Sequence, residues 1–305
     1  MDIQKEKMLA DCSRAQDGLA ADRDGPRTRA ERIRQHARRA LHAPFLYARY
    51  FLAHIGLLGT ADTTIKTFWG ARMVVPLSDG DATGVAFFGI LAGPEYKLVQ
   101  YLIRSLPRDA VFYDIGANHG FYTLLARDLA ESGEVHAFEP LPNTFSYLAR
   151  NTKGAVLNNA ALAEQSGAVL MFDMTGAGHS GGSTIESVVG ERMGGAARVS
   201  VTATTLDEYC VTHTPPTIMK IDVEGGEHRV LEGARSTIQQ HAPIIAMEVW
   251  GGEKGKTFSA PALEKLEGLG YAGYHIQEDG TLSAAHSPLD FIGIPEADNL
   301  IFMKR

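Results

Sequence analysis

Five residues between Asp114 and Glu139 have types and spacing that could do chemistry. Asp114, Gly116, Asn118 and Gly120 form D-x-G-x-N-x-G within VFYDIGANHGFYT, and Glu139 ends a second apolar run, VHAFEP, twenty-five residues past Asp114. An apolar strand, a glycine turn, a helix, another strand and a carboxylate are what an open α/β sheet uses to bind an adenine nucleoside. The glycines let backbone approach the ligand, and the carboxylate accepts hydrogen bonds from both ribose hydroxyls. An ordinary buried strand and turn would need one glycine and no fixed acid.

The turn also discriminates between ligands. A dinucleotide pyrophosphate is held by helix N-terminal amides behind G-x-G-x-x-G. Here Asp114 stands where an anion would have to come close. A carboxylate repels pyrophosphate and suits an ammonium or a sulfonium, so the electrostatics point to S-adenosylmethionine rather than a nicotinamide cofactor.

These residues need a sheet to hold them. The pattern predicts strand 110–115, helix 122–131, strand 134–138, helix 143–151 and strand 155–158, then strand 217–221, helix 227–241, strand 243–249, helix 260–268, strand 271–277 and a terminal strand 299–304. Alternation at these lengths implies a doubly wound α/β fold, a seven-stranded, mostly parallel Rossmann-like sheet with helices on both faces and an antiparallel final strand. Ligand belongs at the carboxyl ends of the strands. Residues 168–173 and 198–204 read as a β excursion around the glycine-rich loop 176–184, where His179, Ser180 and Ser183 could meet a substrate or be solvated without chemistry.

The chain of 305 residues is long enough for one α/β core with a peripheral segment. Residues 1–26 are polar, lack the apolar core of a signal peptide and are expected to have no fixed structure. Residues 27–94 are expected to form a helical and β extension or cap, with a single strand over 65–75, and residues 95–305 the catalytic domain. Cys12 and Cys210 lie in no metal or redox spacing, which fits a reducing compartment and a cytoplasmic protein.

The net charge of −7 conceals a basic segment, because residues 27–54 hold seven arginines against Glu31 alone. Followed by PFLYARYFLAHIGLLG, this segment could lie on an anionic membrane or meet an acidic partner; a helix pair packed with its arginines in water accounts for the same residues. The acidic remainder argues against nucleic acid as a partner.

DIGANHGFYT, FEP, NNAAL, TTLDEY and KIDVEGGEHRVLEGA, in this order, resemble the FkbM-type methyltransferases, a branch of the class I S-adenosylmethionine-dependent fold, from about residue 95 onward. The resemblance implies O-methylation of a hydroxyl on a sugar, polyketide or other secondary metabolite. It places Asp114, Gly116, Asn118 and Gly120 at the methionine end of the cofactor, Glu139 with Pro140 at the ribose, and Asn159 with Ala160 at the adenine edge. Asp222 and Glu224 take the family's acidic positions after the fourth strand, while His119 stands where the family has an apolar residue.

In-line methyl transfer from a sulfonium draws mostly on positioning, worth up to about 7 to 11 kcal/mol, with a general base adding roughly 10² to 10⁴-fold. Asp222, which also borders the cofactor, Glu224 and Glu248 at the end of the fifth strand are the candidate catalytic carboxylates. Asp222, Glu224 and His228 could together hold a divalent cation, but a salt-bridged surface with Arg229 and Arg235 explains the same residues and no metal is assigned. The alternatives are an N-methyltransferase and a non-catalytic cofactor-binding or assembly module.

Overall fold

Strand β3 (Val111–Ile115) is buried at every position, as a central parallel strand with both faces covered must be. The computed structural model of the chain describes residues 3–20, 37, 39–91, 95–175, 179–184 and 197–305. The chain separates into two units, Met1–Arg104 and Ser105–Arg305.

The second unit carries the main sheet. From β3 the chain passes through α5 (Phe121–Leu129), β4 (Glu134–Phe138) and α6 (Pro142–Asn151) to β5 (Val156–Asn158). It later returns as β9 (Ile218–Ile221), helices α8 (Glu227–Gly233) and α9 (Arg235–His241), β10 (Ile244–Val249), α10 (Ala260–Gly268), β11 (Tyr271–His275) and β12 (Asp298–Lys304). The strand order is β11-β12-β10-β9-β3-β4-β5, with β12 antiparallel to both neighbours and the other pairs parallel. The seven-stranded, mostly parallel sheet with an antiparallel last strand is the one the sequence predicts.

Succession runs from β3 toward β5 on one side and from β9 toward β10 on the other, so right-handed crossovers put α5 and α6 on one face and α8 with α9 on the opposite face. The gap between β3 and β9 is therefore a topological switch point, the natural crevice of an open sheet. Ile115, Ile221, Met219, Ile245, Met247 and Leu263 belong to the apolar core packed on this sheet. A separate sheet of β6 (Ala161–Leu162), β8 (Ala197–Thr204) and β7 (Gly167–Asp173) is the expected β excursion, β7 and β8 pairing antiparallel.

The predicted single helix 227–241 is two helices. Asp207, in the short helix α7 (Leu206–Tyr209), accepts hydrogen bonds from the backbone N–H groups of Ser236 (3.0 Å) and Thr237 (2.8 Å), so α9 starts anew with its otherwise unpartnered first donors satisfied.

In the first unit, residues 3–20 form helix α1 (Ile3–Ala20) where no fixed structure was expected. Met8, Leu9 and Cys12 are buried at helical spacing among strong helix formers. Residues 21–26 lie outside the described residues. The single strand expected over 65–75 is a hairpin, β1 (Thr63–Lys66) and β2 (Arg72–Val75), because the backbone turns back at Thr67, whose N–H reaches the Ala71 carbonyl at 2.9 Å. Helices α2 (Pro44–His54), α3 (Thr83–Phe88) and α4 (Glu95–Ser105) complete the elements of this region. Of the seven arginines in segment 27–54, Arg39 and Arg49 fall within the described residues and the other five outside them. Among the described residues no helix is long and apolar enough to cross a membrane.

Candidate active site

The candidate site is assembled by strand register at the switch point. Asp114 of β3 pairs with Lys220 of β9, and Met247 of β10 pairs with Ile221, so Asp222, just past β9, and Glu248, near the end of β10, lie side by side. Sequence positions 114, 222 and 248 meet at one sheet edge for that reason alone.

Gly116 is required by this meeting. Its φ is +81°, and a Cβ there would sit 1.9 Å from the Asp222 carbonyl oxygen, so the turns after β3 and β9 touch backbone to backbone. Gly120 has φ +90° and opens α5, where a Cβ would lie 2.8 Å from the side chains of Leu148 on α6 and of Thr152 just after it. Both glycines thus bring protein against protein. The Gly116 and Ala117 N–H groups both donate to the Phe138 carbonyl, at 3.1 and 3.0 Å, tying the turn to β4.

Asp114 is completely buried. Its Oδ2 accepts from the Thr123 hydroxyl at 2.6 Å, while Oδ1 has no hydrogen-bond partner and lies 3.9 Å from Lys220 Nζ. Burial raises its pKa, and Lys220 and Thr123 oppose that shift. Lys220 is itself buried, reaches Asp222 Oδ2 at 3.0 Å and sits 5.1 Å above the Tyr122 ring. One ammonium therefore serves two carboxylates.

Glu139 follows β4 and is 6% exposed. Its Oε2 accepts the Asn118 N–H and its Oε1 the Leu141 N–H, each at 3.0 Å. A carboxylate has about four lone-pair sites, so two stay open for a vicinal diol. Burial pushes its pKa up to about 7, opposed by those two N–H groups. Asn118 adopts φ +50°, and its Oδ1 accepts from the Ser180 hydroxyl at 3.1 Å. Asn159 is exposed and its amide donates to the carbonyls of Glu139 (2.8 Å) and Pro140 (3.0 Å), bracing this turn, with half-buried Ala160 beside it.

Past β9, one oxygen from each of Asp222, Glu224 and Glu248 lies within 4.8 Å of the others. Asp222 is 28% exposed in its side chain. Glu248 accepts from the Trp250 indole N–H at 3.0 Å, and Glu224 has φ +56° with its carbonyl held by the Thr184 hydroxyl at 2.7 Å. Glu227, buried and pushed up to about 7 by that burial, accepts the Val223 and Gly225 N–H groups at 3.2 Å and fixes the loop that carries Asp222 and Glu224. Glu248, not His228, joins Asp222 and Glu224, while Arg229 pairs with Glu164 at 3.0 Å and Arg235 with Glu232 at 3.9 Å.

Of the residues expected at the substrate, Ser180 is buried against Asn118, His179 is exposed with its N–H on the Met174 carbonyl, and Ser183 accepts the Met174 N–H at 2.9 Å. Residues 176–178 lie outside the described residues. His119 is buried with its ring edge-on to Tyr147. Sequence reasoning missed Lys220, Thr123, Thr184 and Glu227. Lys220 did leave a signal, being a charge inside the apolar strand IMKI.

Residues 114–272, just over half of the chain, match the family described as Methyltransferase FkbM domain. The chain belongs to the FkbM methyltransferase family. The cofactor of that family is S-adenosylmethionine.

It is 25% identical over 169 residues to the hexuronic acid methyltransferase AglP of Haloferax volcanii, covering 52% of this chain and 63% of that protein. It is 24% identical over 183 residues to the methyltransferase sdnD of Sordaria araneosa, covering 49% of this chain and 70% of that protein. Among solved structures, the methyltransferase FkbM of Methylobacillus flagellatus matches at 16% identity and a TM-score of 0.42, over 74% of this chain and 55% of that one. The chain thus spans less than two thirds of the length of AglP and of the Methylobacillus protein.

The site fits the family's cofactor on two observations of its own. Glu139 keeps acceptor capacity for a diol, and the Asp114 Oδ1 is a buried carboxyl oxygen with no hydrogen bond of its own. Both favour a cationic ligand rich in hydroxyls over a pyrophosphate.

Proposed function

We propose that this FkbM methyltransferase transfers a methyl group to a hydroxyl oxygen of a small molecule or glycan, such as a sugar, a polyketide or another secondary metabolite. The observation that carries the reading is the convergence of Asp222, Glu224 and Glu248 at the carboxyl ends of β9 and β10. S-adenosylmethionine, when bound, supplies an electrophilic methyl on a sulfonium that is open to in-line displacement. Glu139 holds the ribose diol with Pro140 beside it, Asp114 and Asn118 lie toward the methionine end with Gly116 and Gly120 shaping the turn, and Asn159 with Ala160 borders the adenine.

Asp222 would take the acceptor's hydroxyl proton as general base while the bound cofactor supplies the methyl group. Lys220, 3.0 Å from Asp222 Oδ2 and 3.9 Å from Asp114 Oδ1, holds the Asp222 carboxylate in place. Glu224 and Glu248 accept hydrogen bonds from neighbouring acceptor hydroxyls and orient the attacking one, and Ser180 borders the same pocket through Asn118. Three carboxylates around the acceptor favour a neutral polyol over an anionic one. The curated relative named for hexuronic acid supports a sugar acceptor, and this electrostatic arrangement supports a hydroxyl remote from any acidic group of that sugar.

The test is transfer of labelled methyl to a panel of neutral sugars, uronic acids and amino sugars, with the position of the label assigned by hydrolysis. Label on oxygen, lost about 10² to 10⁴-fold in Asp222→Asn while calorimetry shows cofactor binding intact, supports the reading. Label on nitrogen, or undiminished transfer by Asp222→Asn, rejects it.

A further inference from the structure

Helix α2 turns an apolar face outward. Tyr50 and Ala53 are buried on its inner side, whereas Phe45 is 88% exposed and Phe51 and Ile55 about half exposed. Phe45, Ala48, Leu52 and Ile55 follow one another at helical spacing along that outer face, with Phe51 at its flank. Leu41 before the helix is 85% exposed, and Leu57 and Leu58 after it are exposed as well. Scattered single apolar residues on a surface are ordinary; six large ones within eighteen residues are not.

Charge identifies what covers this face. Residues 27–54 hold seven arginines against Glu31, most of them directly preceding Leu41. A second copy of the chain would bring two such basic segments together, which disfavours self-association through the same face. Of the described arginines, Arg39 lies over the Tyr50 and Phe87 rings and Arg49 donates to the Asp62 carbonyl, so the attraction is that of the basic sequence as a whole. An anionic lipid surface satisfies both features at once, attracting the basic segment and taking the apolar side chains into its interface. The helix has 11 residues, or about 16 Å at 1.5 Å per residue, far short of a hydrocarbon core of about 30 Å, so it lies along a bilayer and does not span it.

We infer that α2, with Leu41 before it and Leu57 and Leu58 after it, is an interfacial anchor that binds anionic membranes peripherally. The inference rests on α2 and its flanking residues alone, so it stands or falls independently of the acceptor.

Flotation of the full chain with phosphatidylcholine vesicles, with and without phosphatidylglycerol, tests it. Binding is expected to the anionic vesicles only and to weaken as salt rises. Phe45→Ser combined with Phe51→Ser should weaken it by roughly tenfold or more, and Arg32→Glu combined with Arg34→Glu should also weaken it. S-adenosylhomocysteine affinity, unchanged in both variants, reports that they are folded. No vesicle binding by the unaltered protein, or binding that both double variants retain, overturns the inference. So does a concentration-dependent dimer in light scattering that the phenylalanine variant dissolves, or polyglutamate binding with no vesicle binding.

Discussion

Glu139 should make the ligand-free protein lose stability as the pH rises toward neutrality. Its carboxyl is 6% exposed, and burial pushes its pKa from 4.5 to about 7 against the N–H groups of Leu141 and Asn118. The unfolded chain titrates at the ordinary value, so between these limits the folded chain keeps a proton that the unfolded chain releases. At about 1.4 kcal/mol per pKa unit, this gap corresponds to roughly 3 kcal/mol. That stability is fully present below about pH 4.5 and is lost as the pH climbs through about 7.

Glu139→Gln is neutral at every pH and abolishes the dependence. The unfolding free energy of the unaltered protein minus that of Glu139→Gln should therefore fall by about 3 kcal/mol between about pH 4.5 and 8. Glu227, pushed up to about 7 in the same way, acts in the same direction but is present in both proteins and drops out of the difference. Urea unfolding followed by tryptophan fluorescence, extrapolated to zero denaturant at each pH, measures it. A difference that stays flat to within about 0.5 kcal/mol over this range would refute the assignment of a buried, proton-holding Glu139. A difference that grows with pH would mean that the two N–H groups outweigh burial.

The same titration should govern ligand affinity, since the ionised carboxylate is the better acceptor for a diol: S-adenosylhomocysteine binding should strengthen through about pH 7 and lose that dependence in Glu139→Gln, as read by calorimetry. Lys220→Met leaves buried Asp114 and half-buried Asp222 without their shared ammonium and should cost about 3 to 5 kcal/mol at neutral pH in denaturant unfolding, with Lys220→Arg recovering part of it. An unchanged stability would show that Asp114 already carries a proton. Gly116→Ala must move the Asp222 carbonyl, 1.9 Å from the new Cβ, at a backbone φ that alanine resists; more than about 2 kcal/mol of stability and cofactor binding should go together, while Gly154→Ala, which meets only the Arg127 side chain, should keep binding.

The sequence by itself determined the order of elements, the parallel sheet and the two acids Asp114 and Glu139, because hydrophobic periodicity and the glycine turn are local properties of the chain. It also put Asp222 and Glu224 at a strand end, since KIDVEGGE breaks its own apolar run. What it could not carry was the distance between positions far apart in the chain. Only strand register set Asp114 beside Lys220 and Glu248 beside Asp222, and a shift of one residue in either pairing would have turned those side chains to the opposite face.

The roles of Gly116 and Gly120 were decided in the same way. Their residue type announced a close approach, but the partners, the Asp222 carbonyl and α6, belong to segments 106 and 28 residues further on. Helix α1 and the hairpin β1–β2 escaped the sequence reading for a related reason. A polar helix is fixed by the few residues it buries, Met8, Leu9 and Cys12, and an alternating run reads alike whether it continues or folds back, until tertiary contacts choose.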